Sequence, residues 1–176
     1  MADKAAAQQL KTACQGAAAM VKKVERKDKS EKSPALYDLT TLQRDANRLL
    51  GYTAQQTLDY LQNLYEKKLC TYPRTDSRYL TSDMAASLPE LIRLTAGALP
   101  FAAGMELACN AAQVINDKKV TDHHAVIPTR NLPGADLSSL PVGEKAVLEL
   151  VALRLLCAVA QPYTLLKPPL CGVRRC

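Results

Sequence analysis

No uninterrupted apolar stretch in the sequence approaches the roughly 20 residues that a membrane-spanning helix requires, which predicts a soluble chain with no membrane partner. Met1 is followed by an alanine-rich, lysine-containing stretch with neither a long apolar block nor a secretory cleavage pattern, so a cytoplasmic location is expected. There is no C-x-x-C pair. Cys14, Cys70, Cys109, Cys157, Cys171 and Cys176 are scattered, several within apolar helical patterns, and read as reduced, structural thiols. Internal repeats are absent, as is low-complexity sequence beyond the alanine-rich start.

What is present is a chain of 176 residues, enough for one domain or for one domain plus a piece of another, with a core that needs no disulfide or metal. An apolar share of 48% against 23% charged residues excludes wholesale disorder. Twenty-three basic against 17 acidic residues leave a net charge of +6, which suits a polyanionic partner but is equally common in proteins that bind none.

The residue pattern is mainly helical. Residues 3–19 read as a helix ending near Gly16, followed by a strand and a lysine-rich run from Lys22 to Lys32 that reads as a solvated edge strand and loop, or as an arm touching phosphates. Thr40 to Gln43 and Thr53 to Gln56 each fit a capping box. They predict one helix running to about Leu50 and closed by Gly51, and a second from about Ala54 to Leu69. In the second, Leu58, Leu61, Leu64, Tyr65 and Leu69 fall at helical spacing. The short joint makes this a helix-turn-helix, a geometry used by DNA-binding modules and by many domains with no such role. Ser87-Leu88-Pro89-Glu90 predicts a capped helix to about Thr95, and a further short helix is expected over about Gly104 to Asn116. After a connector rich in Pro, Gly and Asp, the near-continuous apolar content of Val142 to Ala160 predicts a buried helix.

The segment Thr71 to Leu80 packs two tyrosines, two arginines, an aspartate and three hydroxyl residues between helices, a makeup typical of site loops. Tyr72 could attack phosphorus, Arg74 could pair with the non-bridging oxygens, and Asp76 could orient Arg74. The alternative is a polar turn, because a phenol with its ordinary pKa near 10 is a poor nucleophile until its surroundings activate it. The two histidines, His123 and His124, are adjacent. In an extended segment they point in opposite directions, so at most one faces a given site and a two-histidine metal site is not expected. One could donate to a phosphate oxygen or assist proton transfer.

Three strings, Leu36 to Arg44, Tyr72 to Leu80 and Asp122 to Thr129, resemble landmarks of topoisomerase III, a type IA DNA topoisomerase, in the order and approximate spacing of that family. The resemblance covers residues from about 30 to 163. It implies a helical gate domain over 34–163, with residues 1–33 resembling the adjoining end of an arch domain as a helix and edge strand, and with 164–176 as an atypical tail. It also implies that Tyr72 attacks a phosphodiester of single-stranded DNA, forming a 5′-phosphotyrosine link that is later resealed without ATP after strand passage. Arg74 matches the family arginine at the scissile phosphate and His123 the active-site histidine. Gln43, Arg44, Thr75, Asp76, Ser77, Arg78 and His124 are the further expected DNA contacts.

In that family the other half of the site is an acidic Toprim domain that holds Mg²⁺, and no D-x-D pattern in this sequence could replace its ligands. The chain is therefore expected to bind no metal by itself, to need the remainder of a topoisomerase chain as its partner, and to be inactive in isolation. The string Leu-Lys-Pro-Pro-Leu-Cys near the end departs from the family pattern and reads as a truncation, an engineered boundary or a frameshift, with Arg174 and Arg175 adding charge to a loose tail. Two other readings compete. One is a noncatalytic helix-turn-helix DNA-binding module. The other is a tyrosine recombinase, disfavoured because its nucleophile typically follows its arginines and histidines.

Overall fold

The computed structural model describes residues 3–16, 18, 20, 21, 27–102, 107, 109–167, 173 and 174. The chain is mainly helical and separates into two compact units, one formed by residues 1–31 with 163–176 and the other by 32–162.

In the first unit, α1 (Lys4–Cys14) starts at Asp3, whose carboxylate accepts the Ala5 amide at 3.0 Å. The helix stops earlier than its alanine content predicts, and none of its residues is buried, so no packing extends it. β1 (Met20–Val21) pairs antiparallel with β4 (Val173–Arg174), and β2 (Lys27–Glu31) with β3 (Tyr163–Lys167), from Lys27 opposite Lys167 to Glu31 opposite Tyr163. Residues 163–167 thus return to pair with the N-terminal segment. The lysines at 22 and 23, with Arg26, lie outside the described residues, as do Cys171, Arg175 and Cys176.

In the second unit, α2 (Leu39–Leu50) is capped at Asp38, not at Thr40. The Asp38 carboxylate accepts the Thr41 amide at 2.6 Å while the Thr41 hydroxyl answers the Asp38 amide, since aspartate accepts more strongly than threonine. Gly51 closes the helix with φ of 73°, the left-handed conformation that a side chain disfavours. α3 (Ala54–Glu66) carries the expected box between Thr53 and Gln56. It ends three residues before Leu69, because 68–71 are engaged elsewhere. Lys68 turns left-handed (φ 58°), Leu69 N donates back to the Leu64 carbonyl at 2.8 Å, and Thr129 N donates to the Leu69 carbonyl at 2.9 Å.

α4 (Leu88–Gly97) has its proline in the first turn, but the Ser87 hydroxyl donates backwards to the Met84 carbonyl of a preceding 3₁₀ segment and leaves the helix start uncapped. The helix expected near 104–116 is not formed among the described residues, which hold only a 3₁₀ turn at Ala111–Gln113; residues 103–106 and 108 lie outside them. The backbone there is spent on neighbours. Asn110 N donates to the Val159 carbonyl, and Leu80 exchanges bonds with Val114 and Asn116.

α5 (Val142–Val159) buries most of its length because it serves two cores. Val147, Leu148 and Val151 join Leu42, Leu61 and Leu64 in one; Leu155, Leu156 and Val159 join Leu88, Leu91 and Ile92 in the other. Near its start, a methyl group added at Gly143 would meet the Tyr60 ring at 2.4 Å, so α3 and α5 approach there as only glycine allows.

Cys70 is buried, and desolvation pushes its thiol up to about 12, whereas Cys14 and Cys157 are exposed. Mass spectrometry of maleimide-treated native protein is expected to find Cys14 and Cys157 modified and Cys70 untouched until denaturant is added.

Tyr37, Asp45 and Arg154 form a cluster between α2 and α5. The Tyr37 hydroxyl donates to Asp45 at 2.8 Å, and the Arg154 guanidinium bonds both and stands 4.1 Å from the Tyr37 ring centroid. Desolvation raises the Asp45 carboxyl, but the Tyr37 hydroxyl, Arg154 and Arg48 outweigh it and hold the group below its usual 3.8. A carboxyl lowered by folding stabilises the native state above that value and loses the effect as pH falls through the folded value. Asp45→Asn is therefore expected to flatten the acid limb of stability measured by urea unfolding. Tyr37 is raised above 10.0, chiefly by burial, so its contribution is complete below that pH and fades above it.

Candidate active site

The site begins with an extended apolar run. Ala125 and Ile127 point into one core and Val126 into the other, the alternation expected of a strand covered on both faces. Two segments flank this run. On one side Val126 N donates to the Tyr37 carbonyl at 2.8 Å. On the other, Thr71 N donates to the Ile127 carbonyl at 3.0 Å while the Thr71 hydroxyl donates to Ala125 O (3.2 Å) and accepts from Ile127 N (3.0 Å). Strings far apart in sequence, around 37, 71 and 126, are thereby held side by side.

The loop after Thr71 is anchored at its alternate residues. Thr75 is buried; its hydroxyl donates to the His123 carbonyl at 2.8 Å, and its own carbonyl accepts Leu39 N at 3.1 Å. Ser77 is also buried and donates to the Lys119 carbonyl at 2.9 Å. Arg78 Nε donates to the Leu36 carbonyl at 3.1 Å, and Ala125 N donates to the Tyr79 carbonyl at 2.9 Å. With both walls tied, Tyr72 and His123 come together, their ring centroids 4.2 Å apart and their planes at 39°. Tyr65 stands edge-on at 5.5 Å from the Tyr72 centroid. The phenol is half-buried between them, and His123 is exposed.

Arg74 and Asp76 are both exposed, and the expected ion pair between them is not formed: among the described residues neither has a hydrogen-bond or ion-pair partner. Arg74 is thus close to Tyr72 in sequence, with its guanidinium uncommitted. His124 is half-buried, its Nδ1 2.8 Å from the Ala125 carbonyl, which takes that proton in the Nδ1–H tautomer. Gln43 uses its amide on the Ala54 carbonyl at 3.0 Å, tying α2 to α3, while Arg44 is exposed on α2. Among the described residues there is no group of three His, Cys, Asp or Glu placed to hold a metal ion.

Tyr65 escaped the sequence pattern. Counted with the apolar face of α3, it is 40% exposed, one position off the buried Thr57, Leu61 and Leu64 stripe. Its place on the stripe's edge beside a second tyrosine was the available signal.

A family model described as DNA topoisomerase matches residues 1–168. The chain therefore belongs to the DNA topoisomerase family, and its landmarks and fold are those of the type IA class. Within the family it is 42% identical to DNA topoisomerase 3 of Bacillus cereus over 147 residues, 78% of this chain and 19% of that protein. It is likewise 42% identical to DNA topoisomerase 3 of Bacillus subtilis over 163 residues, 84% of this chain and 21% of that protein. The chain thus spans about a fifth of the length of these relatives. In fold it is similar to full-length topoisomerase I from Thermotoga maritima, with a TM-score of 0.65 and 24% identity over 90% of this chain and 26% of that one. No helix among the described residues is long and apolar enough to cross a membrane.

Proposed function

We propose that this chain supplies the nucleophilic half of a strand-cleaving site, with residues 32–162 acting as the gate unit and residues 1–31 and 163–167 as a piece of the adjoining arch. The Tyr72–His123 contact carries the reading, because a loop pinned on both walls places a phenol and an imidazole together at a surface open to a DNA strand. In the reaction the Tyr72 oxygen bonds to phosphorus, the P–O3′ bond breaks, the phenol gives up its proton and the 3′ oxygen leaves as a hydroxyl. Resealing runs the exchange backwards, so one phosphodiester replaces another and no ATP is consumed.

Arg74, free and exposed, takes the non-bridging oxygens, and His123 helps stabilise the developing charge. Arg44 and Asp76 are the other exposed contacts. Thr75, Ser77, Arg78 and His124 act mainly by holding the loop and the strand beside it, and Gln43 by tying α2 to α3. Mg²⁺, supplied with an acidic domain of the remainder of a topoisomerase chain, would complete the site from outside these residues. The substrate is single-stranded DNA, and a cytoplasmic location goes with it.

The test uses single-stranded oligonucleotides labelled at either end, Mg²⁺, and the chain with or without the acidic domain of a DNA topoisomerase 3. A denaturant-resistant adduct is expected on the 3′-labelled strand, only with both protein parts. Efficient cleavage by the chain alone would refute the need for a second half. The α2–α3 helix pair leaves one other reading, a noncatalytic duplex binder. It predicts tighter binding to duplex than to single strands, unaffected by Tyr72→Phe, Arg74→Ala or His123→Ala.

A further inference from the structure

A second feature of the unit lies at the far end of the same loop. Tyr79 lines a cleft of about 450 Å³, whose other walls include Lys32, Pro34 and Pro162, with Asn110 and Gln113 offering carboxamides. That volume falls within the roughly 300–1,000 Å³ range of small-ligand clefts. The Tyr79 ring is half exposed, and Lys119 stands over it with Nζ 4.8 Å from the centroid and 3.4 Å from the hydroxyl. Asn110 makes no side-chain hydrogen bond among the described residues, while Gln113 commits its amide nitrogen to the Ala160 carbonyl and keeps its oxygen. No carboxylate of the described residues lines the cleft.

These walls match one ligand chemistry. An aromatic ring offers stacking to any planar base, and a carboxamide offers both a donor and an acceptor, as a base edge does. Lys32 in the lining and Lys119 over the Tyr79 ring favour the attached phosphates. The cleft is also joined mechanically to the candidate active site. Ser77 ties the loop to the Lys119 carbonyl, and the Tyr79 carbonyl accepts Ala125 N, two residues from His123.

From this arrangement we infer that the cleft between Tyr79 and Asn110 receives one unstacked base of the DNA strand that runs past Tyr72. The inference rests on the single-strand reading above and adds a specific subsite to it. A base inside a duplex could not enter, so the subsite selects for single strands.

Fluorescence anisotropy with a labelled single-stranded oligonucleotide, scanned with one abasic position at a time, tests it on the full chain. The unaltered protein is expected to show one position where loss of the base weakens binding. Tyr79→Ala should bind about 5- to 100-fold more weakly and lose that positional sensitivity, the range that one stacked base contributes. Tyr79→Phe should keep it, and Asn110→Leu should change which base is preferred there. Circular dichroism confirms that each variant is folded, and Asn110→Leu remains informative should Tyr79→Ala unfold. If Tyr79→Ala and Asn110→Leu both retain the original affinity and abasic profile, the subsite is refuted while the single-strand reading stands. If the unaltered chain binds no single-stranded DNA, both fall.

Discussion

Tyr72→Phe is expected to eliminate the covalent DNA adduct, a loss on the order of 10³-fold or more, because phenylalanine has no oxygen to bond phosphorus. The substitution is informative because of what it leaves in place. The ring still packs against His123 at 4.2 Å and against Tyr65 at 5.5 Å, so the loop keeps its position and DNA affinity should be largely unchanged. His123→Ala and Arg74→Ala, which remove partners of the developing negative charge, should slow adduct formation by about 10²- to 10³-fold without abolishing it. The assay is the end-labelled oligonucleotide reaction with the acidic domain present. Adduct formed by the Tyr72→Phe chain at an undiminished rate would transfer the nucleophile's role to another residue.

The second large effect concerns stability. Ile127→Ala is expected to cost about 2–5 kcal/mol, read as a lower midpoint in urea unfolding with little change in slope. Ile127 is 1% exposed and sits in the core with Leu36, Leu80 and Leu155, in the run that joins the segments of Thr71 and Tyr37. A cavity there loosens the backbone ladder as well as the core, so the Tyr72–His123 contact should weaken with it. His123→Ala, four residues earlier and on the surface, should cost under about 1 kcal/mol in the same experiment. Equal losses from the two substitutions would mean that the segment 123–127 does not divide into a surface end and a buried end as described.

Local chemistry made much of the fold legible before any coordinates. Thr53 with Gln56, Gly51 with its positive φ, and the apolar span of α5 each act within a few residues, so their outcome is written in neighbouring side chains. Readings failed where distant backbone competed. The stretch around 110–116 has the composition of a helix but is drawn off at both ends, the Asn110 amide by the Val159 carbonyl and the Val114 carbonyl and Asn116 amide by Leu80, and α3 gives up its last turn because Leu69 and Cys70 are claimed by Thr129 and Pro128. Tyr65 looked like core because its spacing was helical, and only the approach of Tyr72 gave it a surface role.

By itself the sequence determined which residue types could do chemistry, since a phenol, a guanidinium and an imidazole are intrinsic to Tyr72, Arg74 and His123 wherever they lie. It also carried the family in three strings whose order is visible without folding. Tertiary structure alone decided that Tyr72 meets His123 across 51 positions of chain, that Thr75 and Ser77 turn inward as anchors, and that Arg74 stays unpaired by Asp76. The reason is that hydrogen-bond ladders between remote segments depend on which partner arrives, and no local pattern of residues encodes that arrival.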